Sequence, residues 1–367
     1  MRFVFTGGGT GGHIYPAVAI AEEIRARYPD SAILFIGRSA GEENRAVEKA
    51  GIPITTLKVS GISRKLTPKN LKSILLALRA EQEARKILRD FAPDAVVGTG
   101  GYVCWPVLHA ASALGIPTAI HESNAYPGLV TRLLSKKCDL TLLGNGATAS
   151  YLPKAKRTVE VGNPLRREFK VTTKAAAREG LGIFGGKRLL ISFGGSIGAT
   201  KINDACLALM KNFSAKNKSV VHIHATGKRY FDEYAQRAKH LPDNCRLVPY
   251  IDDMPLLLSA ADGVICRCGA MTITEIAATK TPAILIPSPN VTDNHQYKNG
   301  KLAAETGGAF LITEDELTEE VLEEKVRRLI ESDTENRKMA SRIAGLIRPG
   351  ATEKCVLEIL NISGGGA

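Results

Sequence analysis

His13 closes a run that is almost all glycine, Gly7-Gly8-Gly9-Thr10-Gly11-Gly12-His13, behind the apolar residues Phe3-Val4-Phe5 and Thr6. Imidazole titrates near neutrality, so a histidine here can take a proton from an alcohol that would otherwise be a poor nucleophile. The glycines add a second capability. A strand that runs through a glycine turn into a helix brings bare backbone N–H groups, at the positive end of the helix dipole, close to an anion. A second run of this kind, Gly194-Gly195-Ser196-Ile197-Gly198-Ala199, follows Leu189-Leu190-Ile191-Ser192-Phe193 about half the chain later. Two such turns predict twin anion-binding domains.

Three further groups carry polar chemistry. Gly269-Ala270-Met271-Thr272-Ile273-Thr274-Glu275 follows the apolar Val264-Ile265-Cys266 and begins a helix, where the free N–H groups suit a diphosphate and Glu275 suits the two hydroxyls of a ribose. Asp293-Asn294-His295-Gln296 suits sugar hydroxyls. His121-Glu122-Ser123-Asn124 follows another strand, and Asn124 can bond hydroxyls; position 125 is Ala, so this is not a zinc His-Glu-x-x-His. His121 itself reads as a satisfied buried imidazole.

The elements that must hold these groups alternate between short apolar runs and amphipathic stretches. Strands are expected at 2–6, 32–37, 54–59, 95–99, 118–121 and 140–143, then at 188–193, 220–225, 246–249, 263–266, 283–287 and 309–312. Continuous apolar strands between helices indicate parallel sheets covered on both faces. The fold class is therefore α/β, two Rossmann-like doubly wound domains. The expected division is 1–163 and 164–340, at the turn Gly162-Asn163-Pro164, with one last helix over roughly 335–360 and a glycine-rich tail.

At 367 residues, two domains are the default. The formal net charge of +12 fits an anionic partner, and aromatics at 5% with no interleaved Lys/Arg run argue against nucleic acid. Seven scattered cysteines indicate a reducing compartment, and Cys266-Arg267-Cys268 lacks a second metal-ligand pair. No signal peptide is read at the start, and Gly and Pro break the uncharged stretch 95–120 into strand, loop, helix and strand. These readings predict a cytoplasmic protein.

Two simpler patterns compete. Gly7, Gly9 and Gly12 satisfy the dinucleotide fingerprint, but the second strand ends Ile36-Gly37-Arg38 where an NAD site needs an acid, which leaves only an NADP oxidoreductase. Gly194-Gly195-Ser196-Ile197-Gly198 also fits a serine-hydrolase elbow, with Asp262 and His295 as its partners. A non-catalytic nucleotide binder is the third alternative.

The glycine turns, Thr99-Gly100-Gly101-Tyr102, His-Glu-x-Asn, Gly-Asn-Pro-Leu-Arg, Gly-Ala-Met-Thr-Ile-Thr-Glu and Asp-Asn-His-Gln occur in one order across nearly the whole chain. That order resembles the bacterial undecaprenyldiphospho-muramoylpentapeptide β-N-acetylglucosaminyltransferases, a family with the GT-B fold. Ile197 and Ser123 stand where that family often carries Gln. The resemblance implies an inverting transfer of N-acetylglucosamine from UDP-N-acetylglucosamine to the C4 hydroxyl of N-acetylmuramic acid in lipid I. It implies a donor site of Thr10, Gly11, Gly12, Asn124, Arg166, Ser196, Ile251, Ala270, Met271, Thr272, Ile273, Thr274, Glu275 and Gln296. The acceptor would lie against Gly9, Gly100, Gly101 and Tyr102, with His13 as the base.

The resemblance also implies a last helix, about 341–362, that returns to the N-terminal domain. No cofactor is expected. The chain holds no Asp-x-Asp, so no metal is either. Around residues 64–79, Arg64, Lys65, Lys72 and Arg79 flank Leu66, Leu75 and Leu76. Such a basic apolar surface suits the anionic inner face of the cell membrane, which makes the expected location peripheral on that face. Lipid I and other cell-wall synthesis proteins are the partners implied.

Overall fold

The computed structural model describes residues 1–9, 11–39, 44–61 and 68–364, with side chains at all of these except 68–72. Thr10, Arg64, Lys65 and Leu66 therefore lie outside the described residues, as does the side chain of Lys72. The chain forms two compact units, one of Met1–Glu168 with Arg348–Ala367 and the other of Phe169–Ile347.

The first unit is built on seven strands: β1 (Arg2–Thr6), β2 (Ala32–Arg38), β3 (Ile54–Leu57), β4 (Ala95–Gly98), β5 (Thr118–Glu122), β6 (Leu140–Leu143) and β7 (Thr158–Glu160). They pair in the order β3-β2-β1-β4-β5-β6-β7, all parallel. The two-residue period of a strand sends Phe3 and Phe5 to one face and Val4 to the other. Phe3 and Phe5 pack with Ile14, Ile20 and Ile24 of helix Gly11–Arg27 and with Val356 and Ile359 of helix Ala351–Ile362. Val4 packs with Ala84 and Leu88 of helix Pro68–Phe91 and Leu108 of helix Cys104–Ala113. Each large apolar side chain so buried contributes roughly 1.5–3 kcal/mol, and burial on both faces explains why these strands carry no alternation.

The second unit has six strands: β8 (Arg188–Phe193), β9 (Val220–Ala225), β10 (Cys245–Val248), β11 (Gly263–Cys266), β12 (Ala283–Leu285) and β13 (Ala309–Leu311). Their order is β10-β9-β8-β11-β12-β13, again parallel throughout. In both sheets the strand order reverses beside the strand that carries a glycine turn, between β1 and β4 and between β8 and β11. Ligands of doubly wound sheets sit outside the C-terminal strand ends at that point.

Two expectations need correction. The last helix is not continuous over 335–360. Helix Asp333–Ala344 ends in the second unit, and Ala351–Ile362 begins in the first. Between them lie Gly345, Pro349 and Gly350, the last at φ +71°, and proline and a left-handed glycine both stop helices. The short strand β7 was not expected, because Thr158-Val159-Glu160 is too polar and too brief to read as an apolar run.

Candidate active site

In the first unit the C-terminal ends of β1, β4 and β5 place three loops side by side along one sheet edge. The loop after β1 and the loop after β4 interlock. Gly8 N–H donates to Gly100 O at 3.2 Å, and Thr99 Oγ1 donates to His13 O at 2.5 Å. A Cβ at Gly101, whose φ is +88°, would lie 2.1 Å from Gly8 O, and one at Gly100 would lie 2.5 Å from His13 Cδ2. Both positions therefore require glycine. His13 Nδ1 sits 2.9 Å from Gly8 O. A carbonyl only accepts, so Nδ1 carries the proton. The structure thus brings His13, Gly100 and Gly101 together.

Beneath them, the thiol of Cys104 donates to Gly100 O at 3.0 Å, and burial pushes its pKa up to about 11. It is an inert post. The ring of Tyr102 covers Gly61, whose carbonyl accepts from Ser73 Oγ at 3.2 Å.

Arg166 reaches the first glycine turn through a residue the sequence reading missed. Its guanidinium lies 4.2 Å from the ring centre of Tyr15, and that ring stands 2.9 Å from where a Cβ on Gly11 would be. Tyr15 is one helical turn beyond Gly11, and that spacing was the available signal.

Asn124 is held by a second overlooked residue. Buried Glu122 accepts from Asn124 N–H at 3.0 Å, Asn124 Nδ2 at 2.9 Å, Gly128 N–H at 2.9 Å and Thr131 Oγ1 at 2.6 Å. One carboxylate so fixes the whole loop after β5. His121 bonds Gly162 O through Nε2 at 3.0 Å, and burial lowers its pKa, so it is a neutral structural imidazole.

In the second unit Ser196 and Ile197 are exposed on the turn after β8, with Ile197 at 69%. Gly195 and Gly198 hold φ of +95° and +85°. The next loop backs them closely, since a Cβ on Gly198 would lie 2.1 Å from Thr226 O and one on Gly227 2.5 Å from Ile197 O. Helix Ala270–Thr279 starts after β11 with Gly269 as its cap, which offers no side chain to the first N–H groups. Met271, Ile273 and Thr274 are buried, so their first-turn contribution is backbone, while Ala270, Thr272 and Glu275 are partly exposed. Gln296 Oε1 accepts from Ser288 N–H at 2.9 Å, which turns its amide N–H₂ outward as donor. Ile251 is buried behind the loop after β10.

The hydrolase pattern fails on register. Asp262 precedes β11, accepts from Leu189 N–H at 2.8 Å and pairs with Lys174, Arg178 and Arg188. It therefore lies at the opposite end of β8 from Ser196, seven residues away at about 3.3 Å each.

The N-terminal domain model of glycosyltransferase family 28 matches residues 3–142, and the C-terminal domain model of the same family matches residues 189–353. The chain belongs to glycosyltransferase family 28. It is 42% identical, over 96% of its length and 98% of theirs, to a Caldanaerobacter subterraneus protein named UDP-N-acetylglucosamine–N-acetylmuramyl-(pentapeptide) pyrophosphoryl-undecaprenol N-acetylglucosamine transferase. A Bacillus cytotoxicus protein of the same name is 40% identical over 96% of this chain and 97% of its own. Among solved structures, MurG of Acinetobacter baumannii superposes with a TM-score of 0.78 at 28% identity, covering 98% of this chain and 99% of that one. The fold of this family 28 chain is GT-B, and its class of chemistry is glycosyl transfer, which sets aside the NADP reading.

One further surface belongs to this family 28 chain. Helix Pro68–Phe91 turns Ser73, Ala80, Ala84 and Leu88 inward, while Ile74 (46%), Leu75 (52%) and Leu78 (50%) are exposed, next to exposed Arg79. The short side chains Ala80 and Ala84 pack in one core with Val107, Leu108 and Ala111 of helix Cys104–Ala113, while Ser73 bonds Gly61 O. Leu76 is only partly exposed, and no described helix is long and apolar enough to cross a membrane.

Proposed function

We propose that this chain transfers N-acetylglucosamine from UDP-N-acetylglucosamine to the C4 hydroxyl of N-acetylmuramic acid in undecaprenyl-pyrophosphoryl-MurNAc-pentapeptide, lipid I, and so makes lipid II for peptidoglycan. The observation that carries this reading is near-full-length identity of 38–42% to proteins named for that transfer. The two glycine turns and the polar groups around them supply what the chemistry needs.

In this reading the first unit takes the acceptor, with its diphosphate near Gly9, Gly100, Gly101 and Tyr102. His13 Nε2, the unprotonated nitrogen, accepts the C4 hydroxyl proton as the oxygen attacks the anomeric carbon. The bond from that carbon to the β-phosphate oxygen breaks, the anomeric centre inverts, and UDP departs. Its growing charge meets N–H groups at Ser196 and at the start of helix Ala270–Thr279, where preorganised donors act most strongly. Glu275 takes the ribose hydroxyls and Gln296 the sugar. Thr10, Gly11, Gly12, Asn124 and Arg166 complete the donor contacts from the first unit.

The exposed Ile74, Leu75 and Leu78 with neighbouring cations favour residence on the anionic inner face of the cell membrane, where lipid I is found. Incubation with labelled UDP-N-acetylglucosamine and a lipid I analogue tests the function: a β-linked disaccharide lipid is expected. Release of free sugar, or binding without consumption, would overturn it.

A further inference from the structure

Beneath the second glycine turn lies a chain of polar side chains that no part of the mechanism above uses. Ser214, His222, Ser192, His224, Asn203 and Thr226 are all wholly buried. Ser214 Oγ stands 3.0 Å from His222 Nδ1, Ser192 Oγ 2.9 Å from His222 Nε2 and 2.8 Å from His224 Nδ1, and His224 Nε2 3.2 Å from Asn203 Oδ1. Asn203 Nδ2 donates to Thr226 O at 2.9 Å.

One end of this chain fixes every proton in it. Thr226 O only accepts, so the nitrogen of the Asn203 amide faces it and Oδ1 faces His224. His224 Nε2 must then carry hydrogen. Burial holds His224 near a pKa of about 4 and His222 near about 3, so both rings are neutral and their Nδ1 atoms accept. Ser192 therefore donates to His224 and receives from His222 Nε2–H, and Ser214 donates to His222. The result is a one-way relay from Ser214 to Thr226 O in which every donor and acceptor is matched.

The relay ends where the donor turn begins. Thr226 O lies against Gly198, and Gly227 against the Ile197–Gly198 peptide. Asn203 sits on helix Thr200–Leu209, which starts just after the turn. Helix, β9 loop and glycine turn are thus pinned to one another through one amide. Fully matched buried polar chains fix position, whereas an apolar core of the same volume would serve stability as well.

We infer that Asn203 and His224 are positioning residues: through Thr226 O they set the backbone of the Gly194–Ala199 turn for the diphosphate of the nucleotide sugar. The inference rests on the proposed donor, and the experiment separates the two. Wild-type turnover and UDP binding by calorimetry come first, and their failure sinks the donor assignment. In the full chain, Asn203→Leu should raise KM for UDP-N-acetylglucosamine and Kd for UDP at least tenfold, with the acceptor KM unchanged within twofold. His224→Leu should raise both by a similar factor, whereas His224→Gln, which can still donate to Asn203 Oδ1, should keep both within about threefold of wild type. An unchanged donor KM in folded Asn203→Leu, or Gln no better than Leu, overturns the positioning role. Should Asn203→Leu not fold, ¹⁵N ring shifts of the wild type decide: both histidines should be neutral Nε2–H tautomers from pH 8 to 6, and an Nδ1–H ring would overturn the relay.

Discussion

His13 Nδ1–H is donated to Gly8 O at 2.9 Å, and the same ring lies against Gly100, where a Cβ would fall 2.9 Å from Nε2. One contact fixes the tautomer, and the other keeps space beside the nitrogen that is left basic. Orientation by a second hydrogen bond is how histidine bases are prepared.

His13→Ala should lower kcat by about 10²–10⁴-fold, the range for loss of a general base. His13→Asn, whose amide can still donate to Gly8 O, should fold with wild-type stability and be as slow as the alanine variant. Steady-state kinetics at saturating substrates would check this, and wild-type turnover in either variant would refute the base assignment.

Gly9 and Gly101 should respond differently to alanine, although both hold positive φ, +93° and +88°. Nothing lies within 4 Å of a Cβ at Gly9, so that change should cost only the left-handed backbone, about 1–2 kcal/mol. At Gly101 the new atom meets backbone 2.1 Å away and cannot be accommodated by a side-chain shift. Gly101→Ala should destabilise clearly more than Gly9→Ala in urea unfolding and should abolish activity. Equal midpoints would contradict the interlocking of the two loops.

The exposed face of helix Pro68–Phe91 can be tested apart from the chemistry. Replacing Ile74, Leu75 and Leu78 together by Ser should cut partition onto vesicles containing anionic phospholipid at least tenfold. Activity on a soluble acceptor should stay within twofold, because all three are exposed on the helix and none is a proposed substrate contact. Undiminished vesicle binding would remove this surface from the membrane role.

Acid should weaken the fold before carboxylates titrate. His121, His222 and His224 are all held below the ordinary histidine pKa of 6.5 by burial. The unfolded chain then takes up protons below pH 6.5 that the folded chain refuses, so stability falls as pH drops through that value and is unaffected by these groups above it. The lowered carboxylates Glu81 and Asp139 act only below their ordinary values of 4.5 and 3.8. The urea midpoint should therefore decline between pH 7.5 and 5.5, and a flat profile there would contradict neutral burial of the three rings.

Much of this was legible in the residues, and the exceptions have causes. The strands that end in glycine turns were readable because burial on both faces demands unbroken apolar runs. β7 was not, since an edge strand of three residues needs no such run. At the site, glycine and His13 announce themselves by spacing from a strand end. Tyr15 and Glu122 do not, because they act by holding Arg166 and Asn124 rather than by facing a ligand. The buried relay did leave a trace: His222 and His224 alternate within Val220–Ala225, which sends both to one face. Only the partners contributed by Ser192, Asn203 and Ser214, up to 32 residues away, gave that alternation a meaning.

The helix Ala351–Ile362 completes the first unit's core with Cys355, Val356, Ile359 and Leu360, yet it is made only after the whole of the second unit. Domains generally fold in the order of synthesis. Here the first segment of the unit waits for Arg348–Ala367, and all of Phe169–Ile347 leaves the ribosome in between. The nascent first unit carries an open apolar seam until Ala351–Ile362 has emerged. The second unit, unbroken in sequence, can finish folding before the first.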